Sequence, residues 1–524
     1  MAQIVKKVRA FFRQRASFGY ILIGLMSAGL FSFLQASSVF ADPDAFYHAK
    51  ITDLMLKYGV VKNFSWLIFT VLPQIYTDHH FLYHIFLLPF VKFFNPLIGI
   101  KIATVFINTG FILIFYHFLK SQKAKWPGFF TFILLGSAPF LFRISLAKAN
   151  GLSLIFIMMI LLALFRKKNF WLGIISFFYV WAYGGWPLSI ALAGLYFFCS
   201  GLAGFVQGGW KKNLAWKPLL ATATGSAAGL IINPYFPQNI NFYWVQTIQI
   251  AVINYGSKIG VGAEWYPFDF FNLLSYGWPV ILFFLLAILF FAGTLMIKKY
   301  QNTGEDAIAR TFFFTSLSGI FFVLTLKSCR NTEYFFPFAV LACSFLLKYF
   351  YSDDAHIFLK NNFLKILKSE RNYKMVIAYV IIMVTVSFAG GIWQIKNDLL
   401  KGFSFDKYQE AMLIAAQNSN DSDIIFHSDW DDWPMLFYHN VKNNYIVGLD
   451  ATFMYKYSKD LFKKWRDITW GDFEGDEYPI IKNDFSASII FIADKDIDKM
   501  DKYFINDSRY NLLYSKEGKV YKLN

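Results

Sequence analysis

Two carboxylates follow directly on the first long apolar run of the chain. In the segment DPDAFYHAK, Asp42 and Asp44 flank a proline, which fixes its own φ and cannot donate a backbone hydrogen bond. The proline ends the preceding helix and begins a turn, so we expect Asp42 to lie at a membrane surface. A carboxylate in this position can accept a proton from a substrate, and it can equally cap the helix that follows. The residues alone leave both roles open.

A second polar cluster lies in the same loop. The segment YTDHHFLYH contains Asp78 and His79, followed by His80 and His84, which share one face of a helix. Carboxylates and imidazoles bind divalent metals, and histidine also relays protons. Asp42, Asp78 and His79 are therefore candidate ligands for Mg²⁺ or Mn²⁺. The alternative is that the histidines only fill an amphipathic surface.

Basic residues stand out in two further loops. In KSCRNTEYFFPF, Arg330 and Glu333 are three residues apart, so they can pair with each other or face a common ligand. In FRISLAKANGLS, Arg143 and Lys148 have no carboxylate nearby in the sequence. Arginine binds phosphate with two parallel hydrogen bonds, and an anionic lipid-linked ligand would explain all three cations. A helix-end salt bridge and snorkelling side chains are the alternatives.

A fourth cluster combines aromatic and acidic side chains. The segment WDDW, residues 430 to 433, follows the strand-like run IIFHS. Carbohydrate and peptide sites often pair aromatic faces with carboxylates, which accept hydroxyl or amide hydrogens. Trp430, Asp431 and Trp433 are therefore candidates for binding an acceptor, and a turn with buried tryptophans is the alternative.

Membrane helices must position most of these residues. The chain has 524 residues, of which 56% are hydrophobic, well above the roughly 45–50% of soluble domains. A helix that spans the hydrocarbon core needs about 20 apolar residues. The sequence predicts about eleven spans, near residues 20–40, 97–118, 128–144, 151–165, 170–184, 187–206, 218–232, 277–297, 311–326, 334–350 and 375–395.

The distribution of charge predicts the orientation. With the N-terminus in the cytoplasm, inner segments hold 23 of the 33 Lys and Arg residues that precede residue 396, as the positive-inside rule expects. The formal charge of +16 therefore reflects membrane topology, and nucleic acid is not expected as a partner. The long loops 41–96 and 233–276 and the tail then lie on the outer face of the plasma membrane. The three cysteines indicate no disulfide framework.

The acidic residues divide the chain into two parts. Of the 34 Asp and Glu residues, 12 precede residue 396 and 22 follow it. We predict a transmembrane domain over residues 1–395 and an extracytoplasmic α/β domain over 396–524. Its helix lies in KYQEAMLIAAQ and its strands in SDIIFHS, NNYIVGLD and SASIIFIADK. In the first loop, AFYHAKITDLMLKYG and HHFLYHIFLLPFVKFF have the apolar spacing of interfacial helices.

Together these features resemble the membrane glycosyltransferases of the GT-C fold, and in particular the catalytic subunit of oligosaccharyltransferase. The resemblance rests on DPDAFYHAK after the first helix, TDHH before the second, KSCRNTEYFFPF and the soluble tail. It implies that Asp42, with Asp44 beside it, acts at the reacting centre and that Arg330 binds the phosphate of a lipid-linked donor. WDDW resembles the Trp-Trp-Asp acceptor motif of that family only loosely, so a peptide acceptor is not implied.

The chain departs from oligosaccharyltransferases in the loop of Arg143 and Lys148, where that family has a second acidic motif for a divalent metal. A diphosphate leaving group benefits from a metal cation, whereas Arg and Lys suffice for a monophosphate. We therefore predict a glycosyltransferase that uses a polyprenyl-phosphate sugar, with Arg330, Arg143 and Lys148 at the donor phosphate. The alternatives are a metal-dependent oligosaccharyltransferase with a lipid-diphosphate donor and a polytopic lipid or sugar transporter. The lack of internal repeats argues against transport.

Overall fold

Helices dominate the chain up to residue 400, and a mixed α/β tail follows. The computed structural model describes residues 2–207, 214–253, 255–256, 258–296, 304–350 and 369–524. The predicted cytoplasmic segments 211–217, 298–310 and 348–374 fall partly outside these ranges. The last long helix continues through the predicted domain boundary at residue 395 and ends at Leu400.

The helical part contains sixteen α-helices among the described residues, and a π-helix, Val245–Ile253, follows the twelfth. In chain order they are α1 (Ala2–Gln35), α2 (Asp44–Tyr58), α3 (Leu72–Ile75), α4 (Phe81–Phe93), α5 (Pro96–Ser121), α6 (Pro127–Leu135), α7 (Ala138–Ser145), α8 (Asn150–Phe165), α9 (Asn169–Ala182), α10 (Pro187–Val206), α11 (Trp216–Ile231), α12 (Gln238–Trp244), α13 (Phe270–Met296), α14 (Glu305–Thr325), α15 (Thr332–Phe350) and α16 (Glu370–Leu400). The two helices predicted in the first loop are confirmed as α2 and α4.

Six of these helices are long and apolar enough to cross a membrane, which makes the chain a multi-pass membrane protein. They lie in α1, α5, α10, α13, α14 and α16. The pair α6 and α7 bends by 71° and can form a seventh span. The predicted spans at 151–165 and 170–184 coincide with α8 and α9, which have only 16 and 14 residues. Every predicted span thus overlaps a helix among the described residues, but the number eleven remains a prediction.

The tail contains a five-stranded mixed sheet flanked by short helices. Its strands are β3 (Ile424–His427), β4 (Asn444–Tyr445), β5 (Ala487–Ile492), β6 (Tyr510–Lys516) and β7 (Gly518–Leu523), in the spatial order β4-β3-β5-β7-β6. β3 runs parallel to β4 and β5, and β7 runs antiparallel to β5 and β6. The helices are α17 (Gln409–Gln417), α18 (Trp433–His439), α19 (Thr452–Tyr457), α20 (Lys459–Thr469) and α21 (Ile497–Met500). The predicted helix and three strands are confirmed as α17, β3, β4 and β5.

The tail packs directly on the first loop. Strand β1 (Val39–Phe40), just before Asp42, pairs antiparallel with β2 (Phe403–Ser404) at the start of the tail. The Trp66 indole donates to the carbonyl of Val441 (3.0 Å), and its carbonyl accepts from the backbone N–H of Tyr445 (2.7 Å). Apolar residues of the loop and the tail share one core. The first loop is therefore held between the helices and the tail.

Lys101 fixes the chain where it leaves α1. Its ammonium, on the buried side of α5, donates to the carbonyl of Val39 (2.7 Å), the hydroxyl of Ser37 (3.1 Å) and the carbonyl of Gln35 (3.4 Å). The last carbonyls of a helix have no partner within the helix and need donors from elsewhere. Lys101 supplies such a donor and sets the path of the segment that leads to Asp42.

Replacing Lys101 by Met should destabilise this junction. The variant keeps the length of the side chain but removes the three hydrogen bonds of the ammonium, and bonds to a charged group are each worth about 1.5–3 kcal/mol. We expect the melting temperature in detergent to fall for Lys101→Met. Lys92→Met, at an exposed position near the end of α4, serves as the control and should change it little. Equal effects in both variants would contradict the role of Lys101.

Candidate active site

The candidate residues from separate loops meet in one cavity of about 1360 Å³. Small-molecule sites typically enclose about 300–1,000 Å³, so this space can hold a ligand larger than a metabolite. Helices and tail both line it. The lining includes the charged and polar residues Asp42, Asp44, His48, His79, Arg143, Lys148, Glu264, Arg330, Trp430 and Asp431.

Lys148 joins the two carboxylates of the first loop. Its Nζ lies 2.6 Å from Oδ2 of Asp42 and 2.8 Å from Oδ2 of Asp44. The other oxygen of Asp42 accepts the backbone N–H of Asp44 at 3.0 Å, in the first turn of α2. Asp42 therefore organises the start of α2 and faces the cavity as well. Of the two roles considered from the sequence, the structure shows the contact with the start of α2, and proton transfer stays a prediction.

Burial and charge act in opposite directions on this trio. Burial raises the pKa of Asp42, Lys148 opposes that rise, and the carboxylates of Asp44 and Glu264 add to it, so the pKa of Asp42 is raised. Burial would lower the pKa of Lys148, but Asp42 and Asp44 outweigh it and raise the pKa. Lys148 is therefore a permanent cation, and Asp42 is a stronger base than an ordinary aspartate.

Glu264 connects the other two predicted cations. It lies in a single 3-10 turn, Ala263–Trp265, within the long loop 233–276. One oxygen of Glu264 lies 2.9 Å from Nη1 of Arg143, and the other lies 3.1 Å from Nη1 of Arg330. Burial would raise the pKa of Glu264, but Arg330, Lys148 and Arg143 reverse this and lower it strongly. Sequence reasoning did not select Glu264, although it is the only acid of GAEWYPF.

Arg330 and Glu333 do not pair with each other. Glu333 is fully buried, and its Oε2 accepts from Arg143 (3.2 Å) and from the amide of Asn150 (3.2 Å). Arg330 instead donates to the hydroxyl of Tyr183 at 2.9 Å and packs its guanidinium over the Trp265 ring. Arg143 is thus enclosed by two carboxylates and 8% exposed, whereas the Arg330 side chain is 27% exposed. Arg330 is the more accessible guanidinium.

The proposed metal ligands are not brought together. Asp78 is buried, and its Oδ2 lies 2.7 Å from Nδ1 of His84, whose Nε2 is 2.8 Å from Nδ1 of His48. The ring of His79 packs at a tilt against the ring of Phe242, with 5.1 Å between the centroids. Among the described residues, the one group of three acidic, His or Cys side chains with ligand atoms within 4.8 Å of one another lies elsewhere, in the tail.

Asp42, Asp78 and His79 therefore do not form an assembled ligand set among the described residues. Asp42 is already neutralised by Lys148, and Asp78 is engaged by a histidine. The prediction of Mg²⁺ or Mn²⁺ at these three residues thus finds no assembled ligand set.

The tail contributes only part of WDDW to the cavity. Trp430 and Asp431 line the cavity wall. Trp433 is fully buried, because its ring stacks on Phe437 in the core between the tail and the first loop. It does not reach the space where an acceptor would bind. For Trp433, the buried-tryptophan alternative describes the structure.

The architecture places the chain among proteins of the GT-C fold. Oligosaccharyltransferase AglB from Archaeoglobus fulgidus, in complex with an inhibitory peptide and a dolichol-phosphate, is similar with a TM-score of 0.60 and 10% identity over 91% of this chain and 70% of that one. An apo crystal structure of the Archaeoglobus fulgidus oligosaccharyltransferase gives 0.58 and 11% identity over 90% and 69%. At these identities the likeness establishes the fold.

A further protein shares the fold over nearly its whole length. ArnT from Cupriavidus metallidurans, bound to undecaprenyl phosphate, matches with a TM-score of 0.54 and 12% identity over 96% of this chain and 98% of that one. No family model and no curated protein sequence matches the chain. The predicted GT-C-like fold is therefore confirmed through structure.

Lys148→Met should destabilise the protein by leaving two carboxylates facing each other. Breaking a fully buried pair costs about 3–5 kcal/mol; because Asp44 is 37% exposed, we expect about 2 kcal/mol here. Asp44→Asn should cost less stability in the Lys148→Met background than in the wild type. Thermal melting of the two single variants and the double variant measures this coupling, and strictly additive effects would contradict the ion bridge.

The stability of Asp431→Asn relative to wild type should depend on pH. Burial, aided by Asp429, Asp42 and Asp44, raises the pKa of Asp431 from 3.8 to about 7 in the folded protein. Between pH 3.8 and about 7, the Asp431 carboxyl group is ionised in the unfolded chain but still protonated in the folded protein. Raising the pH through this range therefore destabilises the wild type, by at most about tenfold in the unfolding constant per pH unit. Asparagine does not titrate. We expect the variant to gain relative stability up to about pH 7, and a constant difference would contradict the shift.

Proposed function

We propose that the chain is a glycosyltransferase that transfers a sugar from a polyprenyl-phosphate carrier to an acceptor on the outer face of the plasma membrane. The observation that carries this proposal is the convergence of Asp42 and Asp44 with Lys148, Arg143 and Arg330 in one cavity of a GT-C fold. The basic inner segments support the orientation. Two proteins of this fold have structures with dolichol-phosphate and undecaprenyl phosphate, which supports a carrier of this class.

Asp42 is the proposed general base. The acceptor hydroxyl or amide gives its proton to the Asp42 carboxylate while its oxygen or nitrogen attacks the anomeric carbon of the donor sugar. The bond between that carbon and the phosphate oxygen breaks, and the phosphate keeps the electron pair. Attack in line with the leaving group inverts the anomeric configuration. The raised pKa of Asp42 suits this proton transfer, and Lys148 keeps the carboxylate in place.

Arg330 is the proposed ligand of the donor phosphate. It is more exposed than Arg143, and its guanidinium is oriented by Tyr183 and Glu264. A phosphate bound there competes with Glu264 for the same N–H groups. Arg143 is enclosed by Glu264 and Glu333. In this scheme it does not bind the phosphate directly, and its positive charge stabilises the phosphate from a distance. Lys148, predicted from the sequence as a phosphate ligand, serves the carboxylates in this scheme.

The acceptor is proposed to enter between the helices and the tail. Trp430 offers an aromatic face and Asp431 a carboxyl group at this wall, and both can bind a sugar or an amide. The likeness to oligosaccharyltransferase does not extend to a matched acceptor motif. The proposal therefore covers lipid, glycan and protein acceptors alike.

Asp42→Asn should abolish transfer without releasing the donor. Loss of a general base typically lowers the rate about 10²–10⁴-fold, whereas Arg330→Ala should weaken retention of the carrier lipid. The assay combines sugar transfer from polyprenyl-phosphate sugars in proteoliposomes with mass spectrometry of copurified lipids. Lys62→Met, an exposed-loop control outside the cavity lining, should match wild type. Full transfer by an Asp42→Asn, Asp44→Asn double variant would exclude the mechanism. If every sample contained only bulk phospholipid, the result would contradict a polyprenyl-phosphate donor and favour a transporter.

A further inference from the structure

Three buried side chains form a hydrogen-bonded chain from the interior of the first loop to the cavity wall. Oδ2 of Asp78 lies 2.7 Å from Nδ1 of His84, and Nε2 of His84 lies 2.8 Å from Nδ1 of His48. Asp78, His84 and His48 are 4%, 0% and 2% exposed. Of the three, His48 lines the cavity. The proposed transfer mechanism uses none of them.

The carboxylate at the inner end fixes where the ring protons lie. Oδ1 of Asp78 accepts the backbone N–H of His80 at 3.0 Å, so the other oxygen faces His84. A carboxylate only accepts hydrogen bonds, and a neutral imidazole has a single N–H. Asp78 therefore holds the N–H of His84 at Nδ1. Nε2 of His84 is then an acceptor, and the N–H of His48 must lie at its own Nδ1.

His48 is left with an unprotonated Nε2. Burial lowers the pKa of His48 well below its ordinary value, and His84 and Lys148 lower it further, so the ring stays neutral. In the described part of the chain, the one hydrogen bond of this ring is the bond to His84. The lone pair on Nε2 is therefore available to a ligand in the cavity.

This lone pair lies beside the proposed reacting centre. Asp44 and His48 are four residues apart on α2 and both line the cavity, so their side chains share one helix face with Cβ atoms about 5–6 Å apart. The ring of His80 lines the same wall, 5.3 Å from that of His48 between centroids, and its buried Nδ1 has no partner among the described residues. This wall therefore has hydrogen-bonding capacity that those residues leave unused.

An imidazole lone pair at this position selects a group that donates a hydrogen bond. It can accept from a hydroxyl, but it offers no donor to a phosphate oxygen. We propose that Nε2 of His48 accepts a hydrogen bond from a sugar hydroxyl beside Asp44, and that Asp78 and His84 are positioning residues that keep Nε2 unprotonated. This inference rests on the proposed glycosyl transfer. The hydroxyl belongs to the donor sugar or to a glycan acceptor.

¹⁵N NMR of the histidine-labelled full-length protein in detergent tests the proton positions without any substrate. We expect the His48 ring to be protonated at Nδ1 and unprotonated at Nε2, and the loss of its signals in His48→Asn assigns them. Asp78→Asn should invert this arrangement. The amide oxygen of the variant keeps the backbone N–H of His80, so its NH₂ group donates to His84 and the proton of each ring moves to the other nitrogen. A purely structural role of Asp78 would not move these protons.

The kinetics of sugar transfer test the bound hydroxyl. His48→Asn keeps a donor near the position of Nδ1 but has no acceptor at that of Nε2, so kcat/KM should fall about tenfold. His48→Gln places an amide oxygen near the position of Nε2 and should recover part of the activity. His117→Asn, a histidine outside the cavity lining that contacts Tyr20, is the control and should match wild type. A higher KM for the donor assigns the hydroxyl to the donor sugar, and a higher KM for the acceptor assigns it to the acceptor.

The proposal is overturned if Nε2 of His48 carries the proton in the wild type, since it then donates instead of accepting. It is also overturned if wild type transfers sugar and His48→Asn does so equally well. If His48→Asn fails to fold, His48→Gln assigns the signals, and Asp78→Asn, with a donor at Nε2, takes its place in the kinetic test. A wild type that transfers no sugar contradicts the proposed function instead, so the two failures are distinct.

Discussion

The ion bridge of Lys148 with Asp42 and Asp44 is the contact on which the site depends. It joins the loop before α8 to the first turn of α2, two parts of the chain about a hundred residues apart in sequence. Two carboxylates adjacent in a buried turn repel each other, and this repulsion would separate them or protonate one. A fixed ammonium between them removes that cost. It therefore allows the first loop to enter the cavity with both carboxyl groups close together.

From this bridge the charges continue as an alternating series through the cavity. Glu264 faces Arg143 and Arg330, and Arg143 in turn faces Glu333. Each guanidinium is thereby oriented before any ligand arrives, which is the arrangement that stabilises developing charge without reorganisation. The same series imposes a constraint, because a phosphate at Arg330 must compete with a carboxylate already in place.

The local helices and strands and the candidate site residues could be predicted from the sequence better than the contacts between residues that are far apart in it. Proline in DPDAFYH and the apolar spacing after it were sufficient to predict α2, and the alternating runs of the tail predicted β3 and β5. Glu264 was missed because its role depends on partners 121 and 66 positions away, and an isolated acid in a loop carries no local signal. Trp433 was wrongly predicted to bind an acceptor because it lies in the same short segment as Trp430. Helix α18 begins at Trp433, and this residue lies in the core.

The division of the chain at residue 396, which follows composition, does not divide the cavity. Asp42, in the loop after α1, and Asp431, in the tail, line the same cavity. The two parts of the chain are also joined by the pairing of β1, just before Asp42, with β2 at the start of the tail. The helices alone would leave the charged series open to water, where each pair is worth little because of screening. The tail covers it, so the interactions act at lower effective dielectric and become strong enough to set protonation states. The tail is therefore a wall of the site, formed by residues such as Trp430, Asp431 and Asp450.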